Sequence, residues 1–137
     1  MKQVVIKGRS LSKGRASGEA IVTKDPILFN GGVDPLSGAI VETGHELQGQ
    51  IISAKILVFP YGKGSTGGSF VIYQMEKLGT GPRAMICLKS ETITTIGAIM
   101  GNIPLMDSLE QNPLEIIKTG DHVEVNANEN LVKITKM

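Results

Sequence analysis

The chain has 137 residues, 41% of them hydrophobic and 20% charged, with a formal net charge of +1. That length fits a single domain over residues 1–137 that buries about two-thirds of its unfolded surface, and the apolar content excludes a disordered chain. Near-neutrality and an aromatic content of only 4% exclude the basic stripes and stacking platforms that nucleic acids require.

In chain order, KQVVIKG is β-branched and ends in glycine, a predicted strand. Its apolar run is too short for a signal peptide, and no later stretch approaches membrane-spanning length. No membrane partner is expected, and the expected setting is the cytoplasm. RSLSKGRASG reads as a turn-rich connection, and GEAIVTK, Gly18 to Lys24, as a second strand. FNGGVDPLSG is a loop, because Gly31-Gly32 and Pro35 interrupt any regular element. Asp34, ahead of Pro35, is a turn-former. GAIVE is a third strand. His45, in ETGHELQGQ, is a loop histidine with a solvated or structural role. KILVFP, Lys55 to Pro60, is the continuous apolar run expected of a strand covered on both faces.

After a glycine-rich joint, SFVIYQMEKLG carries Ile72, Met75 and Leu78 at near-helical spacing, with Gly79 as its stop. RAMICLK is a fifth strand. It contains Cys87, the one cysteine of the chain, read as a buried core thiol. A single cysteine excludes an internal disulfide framework and a multi-cysteine metal site built by this chain alone. SETITTIGAIMGN is a short helix, with Ser90 or Thr92 as its cap and Gly101-Asn102 as its end. IPLMD is a short strand and LEQNPLEIIKTGD a turn or short helix. HVEVNA and LVKITKM form a hairpin around Asn126 to Asn130. His122 opens that hairpin with no chemical role. The order predicts a mixed α/β fold, β-rich with a small βαβ unit, in two or three layers.

The joint, FPYGKGSTGGSF from Phe59 to Phe70, concentrates the chemistry. Strand, glycine-rich turn and helix together make an anion site. The first N–H groups of a helix lack partners, the dipole is positive there, and glycines admit an anion close to the backbone. Gly62, Gly64, Gly67 and Gly68 supply that access, and Lys63 adds a full charge. The spacing does not fit the nucleotide loop G-x-x-x-x-G-K-S/T, since the lysine precedes the second glycine. Ser65 and Thr66 have two readings. Either is a helix N-cap, or a hydroxyl that surrounding backbone donors stabilise as an oxyanion able to receive a proton. Two adjacent hydroxyls allow one to cap and the other to react. No Ser–His–Asp set, carboxylate pair or His/Cys cluster is legible, so the chain does not look like a self-sufficient enzyme.

The segments GGVDPLSGAIVETGHELQGQ, KILVFPYGKGSTGGS, GAIMGNIPLMD and IKTGDHVEVNA stand in an order that resembles the aconitase X swivel-domain family. The resemblance runs from about Gly8 to Val132, and VFPYGKGS is its most specific part. It implies a swivelling β/β/α domain like the mobile domain of aconitases. It further implies a hydro-lyase in which this chain is the small subunit of a heterodimer and a large catalytic subunit binds the 4Fe–4S cluster. On the family pattern Ser65 is the proton acceptor, with Gly62, Lys63, Gly64, Thr66 and Gly67 around the substrate. Thr66 stands where many relatives carry a second serine, and it keeps the hydroxyl. The implied reaction dehydrates a small phosphorylated hydroxy acid, (R)-5-phosphomevalonate, to trans-anhydromevalonate 5-phosphate on an archaeal route to isoprenoids. Two alternatives stay open: dehydration of cis-3-hydroxy-L-proline by the same family, and a non-catalytic anion-binding module. The chemistry agrees with the resemblance. Loss of water from a β-hydroxy acid needs a base for the proton beside the carboxylate and a Lewis acid for the hydroxyl. A cluster needs several cysteines, which this chain lacks.

Overall fold

The computed structural model describes residues 2–136. Its elements, in chain order, are β1 (Lys2–Lys7), β2 (Arg9–Ser12), β3 (Arg15–Val22), β4 (Ile27–Leu28), a four-residue turn α1 (Phe29–Gly32) that is non-helical at Asn30 and Gly31, β5 (Val33–Asp34), β6 (Ala39–Ile40), β7 (Ile56–Phe59), β8 (Gly62–Lys63), α2 (Gly67–Leu78), β9 (Ala84–Cys87), α3 (Thr92–Gly101), β10 (Leu105–Asp107), α4 (Pro113–Ile116), β11 (His122–Asn126) and β12 (Leu131–Lys136).

Eight strands form one sheet in the order β1-β12-β11-β3-β7-β9-β10-β2. β3 belongs to both halves of it. Arg15 to Glu19 pair antiparallel with β11, and Ala20 to Val22 pair parallel with β7. β7, β9 and β10 are parallel neighbours linked through α2 and α3, because parallel strands need a crossover connection. β1 and β2 lie at opposite ends of the strand order yet are joined by Gly8 alone. The sheet therefore curls so that its two edge strands come together at the Gly8 corner. A Cβ at Gly8 would sit 2.8 Å from Leu109 Cδ1, so the corner admits no side chain without a shift.

Alternation along the central strands sorts the interior into two cores. Ala20, Ile56, Val58, Ala84 and Ile86 face inward with Val123, Val125, Val132 and Ile134. Ile21, Leu57, Phe59, Met85 and Cys87 face the other way, under Ile72, Met75 and Ala98 of α2 and α3 and under Ile27, Phe29 and Ile40 of the short elements β4, α1 and β6. The layers are sheet, sheet and helix, and KILVFP is buried on both faces as its continuous apolar run predicts. The hairpin around Asn126 to Asn130 is present as β11 and β12.

Three local expectations change. RSLSKGRASG is not a plain connection: Arg9 to Ser12 pair with β10, and β3 begins at Arg15. Ladder bonds to two partners hold this polar stretch extended despite its weak strand propensity. GAIVE contributes only Ala39–Ile40, in a ribbon with Val33–Asp34. The α3 cap is Glu91 rather than Ser90 or Thr92. Its carboxylate accepts from the N–H groups of Ile93 and Thr94, each at 2.8 Å, where the helix dipole favours a negative charge. The Ser90 hydroxyl is instead engaged with that of Thr95 at 2.8 Å. Gly79 closes α2 in the left-handed conformation, as its position predicts, and Asn102 does the same for α3.

Candidate functional site

The glycine joint leaves the carboxyl end of β7, where the parallel strands of an α/β sheet present their ligand-binding loops. Its placement follows from a two-strand ribbon. β4 and β8 run parallel with Ile27 opposite Gly62 and Leu28 opposite Lys63. The pairing ends there, and the turns that follow each strand bring Asn30 and Ser65 together: Asn30 Nδ2 donates to Ser65 Oγ at 3.0 Å.

Room for that contact is built in. A Cβ at Gly67 would lie 2.3 Å from Asn30 Nδ2 and 3.5 Å from Ser65 Oγ, and one at Gly64 would lie 2.3 Å from Leu28 Cδ1. Gly64 has φ +105°, a conformation that favours glycine. Gly62 is buried, and a Cβ there would meet Thr94 Oγ1 at 2.2 Å. Thr94 Oγ1 is buried with no hydrogen-bond partner, so the floor of the loop is tight.

Ser65 does not cap α2. The N-cap residue is Thr66, in helical conformation, and its side chain makes no capping bond. Backbone groups close the first turn instead, Gly68 N donating to Ser65 O at 3.0 Å and Ser69 N to Thr66 O at 3.3 Å. The Ser65 hydroxyl is exposed, and its oxygen is held by a side-chain amide from another loop rather than by helix amides. The capping reading of both hydroxyls is thus corrected, because glycines at the first helical positions let the turn close on backbone alone.

Lys63 is neither free nor simply solvated. Its ammonium donates to Glu42 Oε2 at 2.8 Å. Glu42 comes there because Val41 N and Glu42 N both donate to Gly32 O, at 2.8 and 3.3 Å, folding the segment after β6 back on the Asn30 turn. The other carboxylate oxygen, Glu42 Oε1, is buried without a partner. The site therefore gathers Asn30, Glu42, Lys63, Ser65 and Thr66 from three segments of the chain. Sequence reasoning missed Asn30 and Glu42; the one signal for Asn30 was its place directly before Gly31-Gly32, beside the ribbon that pairs with the joint.

The other singled-out polar residues are structural. The His45 ring is buried, with Nε2 donating to Pro26 O at 2.9 Å and Nδ1 accepting from Leu47 N at 3.0 Å. Asp34 makes its turn, accepting from Leu36 N and Ser37 Oγ, both at 3.0 Å. Exposed apolar side chains surround the joint: Tyr61 and Phe70 flank it, Leu88 N bonds Pro60 O beside it at 3.1 Å, and Val41 precedes Glu42.

Among the described residues no group of three or more His, Cys, Asp or Glu side chains is placed to hold a metal ion. Cys87 is fully buried, and that burial, with the charges of Asp107 and Glu91 behind it, pushes its thiol well above the ordinary value. A thiolate ligand is thus disfavoured, and these residues do not fit an iron–sulfur cluster. No helix among the described residues is long and apolar enough to cross a membrane.

A family model described as "Aconitase X swivel domain" matches residues 5–134. The phosphomevalonate dehydratase small subunit of Methanosarcina acetivorans is 48% identical over 99% of this chain and 94% of its own length. That of Methanocella arvoryzae is 50% identical over 95% of this chain and 98% of its own. The crystal structure of Thermococcus kodakaraensis aconitase X, holo-form, superposes with a TM-score of 0.91 at 43% identity, covering 97% of this chain and 99% of that one.

Proposed function

From the premise that this chain belongs to the aconitase X swivel-domain family, we propose that it is the small subunit of a phosphomevalonate dehydratase. It is one swivel domain over residues 1–137, working in the cytoplasm with a large subunit to convert (R)-5-phosphomevalonate to trans-anhydromevalonate 5-phosphate and water. Curated relatives at 48% and 50% identity over nearly the whole chain carry that name.

The observation that carries the site assignment is the Ser65 hydroxyl: exposed, relieved of any capping duty, and receiving an amide hydrogen bond. Hydrogen bonding to the charged form of a group favours that form. In the proposed step Ser65 Oγ, as alkoxide, takes the proton from the carbon beside the substrate carboxylate. The C–H electron pair becomes the new C=C bond, and the C–O pair leaves with the hydroxyl. Gly62, Lys63, Gly64, Thr66 and Gly67 form the cradle, with the positive end of α2 toward the substrate's anionic groups and Lys63 held at the rim by Glu42. On the family pattern the 4Fe–4S cluster belongs to the large subunit, and the single cysteine of this chain, Cys87, supports that reading. The apolar rim of Val41, Tyr61, Phe70 and Leu88 is the surface that subunit covers, and closing it excludes water from the base.

The test is co-expression with a cysteine-bearing large subunit, anaerobic reconstitution, and assay of both candidate substrates. The expected result is dehydration of phosphomevalonate only when both subunits are present. Dehydration without this chain, or of cis-3-hydroxy-L-proline alone, contradicts the proposal.

A further inference from the structure

We propose that Asn30 is a second catalytic residue of this site, donating its side-chain amide to the Ser65 oxyanion. This inference rests on the reading of Ser65 as proton acceptor and adds what that reading lacked, a specific source for the serine's acidity. Three independent features of the chain converge on the contact. The β4–β8 ribbon, which pairs Ile27 with Gly62 and Leu28 with Lys63, brings the turns that carry the two residues side by side. The amide nitrogen lies 3.0 Å from Oγ. The absent side chain of Gly67 leaves the space the amide occupies, since a Cβ there would come within 2.3 Å of Nδ2.

The chemistry distinguishes this bond from ordinary packing. A neutral hydroxyl needs no donor; an alkoxide does, and a donor already in place costs no reorganisation when the charge forms. An asparagine amide keeps its proton across the working pH range, so it stabilises the alkoxide without competing to reprotonate it. Because the Oγ lone pair on that side is occupied by Nδ2–H, the remaining lone pairs are the ones that meet the substrate proton. Asn30 thus fixes both the charge state and the direction of the base. Its backbone supports a fixed position: Asn30 has φ −87° and ψ 102°, and Gly31 follows at φ +100°, a reversal that glycine permits.

Two measurements test this. In the first, S65C turns the oxygen into a thiol whose ionisation can be read directly on the isolated full chain, by thiolate absorbance and by alkylation rate against pH. Cys87 is buried and does not react in the native state. The S65C thiol is expected below the ordinary value of about 8.5, and adding N30A should raise it by about half a unit or more. In the second, N30A and the isosteric N30D are compared with S65A in the reconstituted two-subunit enzyme. Loss of one oxyanion donor predicts a fall in kcat of about 10²-fold for N30A, more for N30D, whose carboxylate repels the alkoxide. KM should stay within about threefold and the acid limb of the pH–rate profile should move upward. If S65A is inactive while N30D keeps near-normal turnover with an unmoved profile, or if the S65C thiol ionises alike with and without Asn30, the role of Asn30 is overturned and Ser65 stands. If S65A itself stays active, the base assignment has failed, and the inference with it.

Discussion

A serine that caps a helix costs about 1 kcal/mol of stability when cut back to alanine. Ser65 makes no such bond, and the hydrogen bond it does receive is exposed. S65A is therefore expected to leave the unfolding free energy of the isolated chain, read from urea melts, unchanged within about 0.5 kcal/mol; a loss near 1 kcal/mol would restore the cap. Asp107 shows the opposite balance of structure over chemistry. It is fully buried in β10 and accepts from Arg9 Nε at 2.8 Å, Arg9 Nη2 at 2.7 Å and Ser90 N at 2.8 Å. Burial pushes its carboxyl up, but the Arg9 and Ser90 hydrogen bonds and the Arg9 charge together hold it below the ordinary carboxylate value. A depressed carboxylate contributes stability above its unfolded value of about 3.9 and loses it as pH falls through the folded value. D107A strands the half-buried Ser90 N–H and the Arg9 guanidinium, a cost of about 1 kcal/mol or more at pH 7. Its unfolding midpoint should also fall less steeply than wild type as pH drops from about 5 to 2. At this scale the sequence exposed Ser65 and Lys63, because a hydroxyl and a cation stood in a glycine-rich turn. It hid Asn30 and Glu42, because a short parallel ribbon and a folded-back segment brought them there and neither leaves a periodic trace.

The helices show how packing overrides local preference. Glycine inside a helix costs about 1 kcal/mol against alanine, so G97A would stabilise an isolated α3. In the fold, a Cβ at Gly97 would lie 2.8 Å from Ile72 Cδ1, 2.9 Å from Ile72 Cβ and 3.1 Å from Ser69 Cα of α2. Two of those atoms cannot swing away. Overpacking of this kind costs about 1–3 kcal/mol, and the net expectation is a lowered thermal midpoint. A raised midpoint would show that α2 and α3 separate freely. That outcome matters for the site, since α2 carries Ser65 at its entry and the Ser69 hydroxyl donates to Ile93 O at 2.6 Å. Elements with strong periodicity, KILVFP, α2, α3 and the hairpin, were legible for that reason. β2 and the first half of β3 were not, because polar residues became strands only through partners distant in the chain.

Across the whole molecule, the strand order brings β1 and β2 together through Gly8, and parallel pairing sets the carboxyl ends of β7 and β9 at one end of the sheet, where α2 begins. Nothing in the local sequence announces that closure; it emerges from strand order. At that end of the sheet one loop presents Ser65 together with exposed Tyr61 and Phe70, the latter 68% accessible. On the proposal that a large subunit covers this rim, F70D should leave the isolated fold intact and weaken assembly about tenfold or more, read as Kd by sedimentation. Unchanged affinity would place the interface elsewhere.

The most direct measurement is turnover of phosphomevalonate by the reconstituted pair carrying S65A. Assembly with the large subunit should match wild type while kcat falls by about three orders of magnitude or more, as for loss of a reacting group. An S65A enzyme that assembles normally and dehydrates its substrate at near wild-type rate contradicts the account.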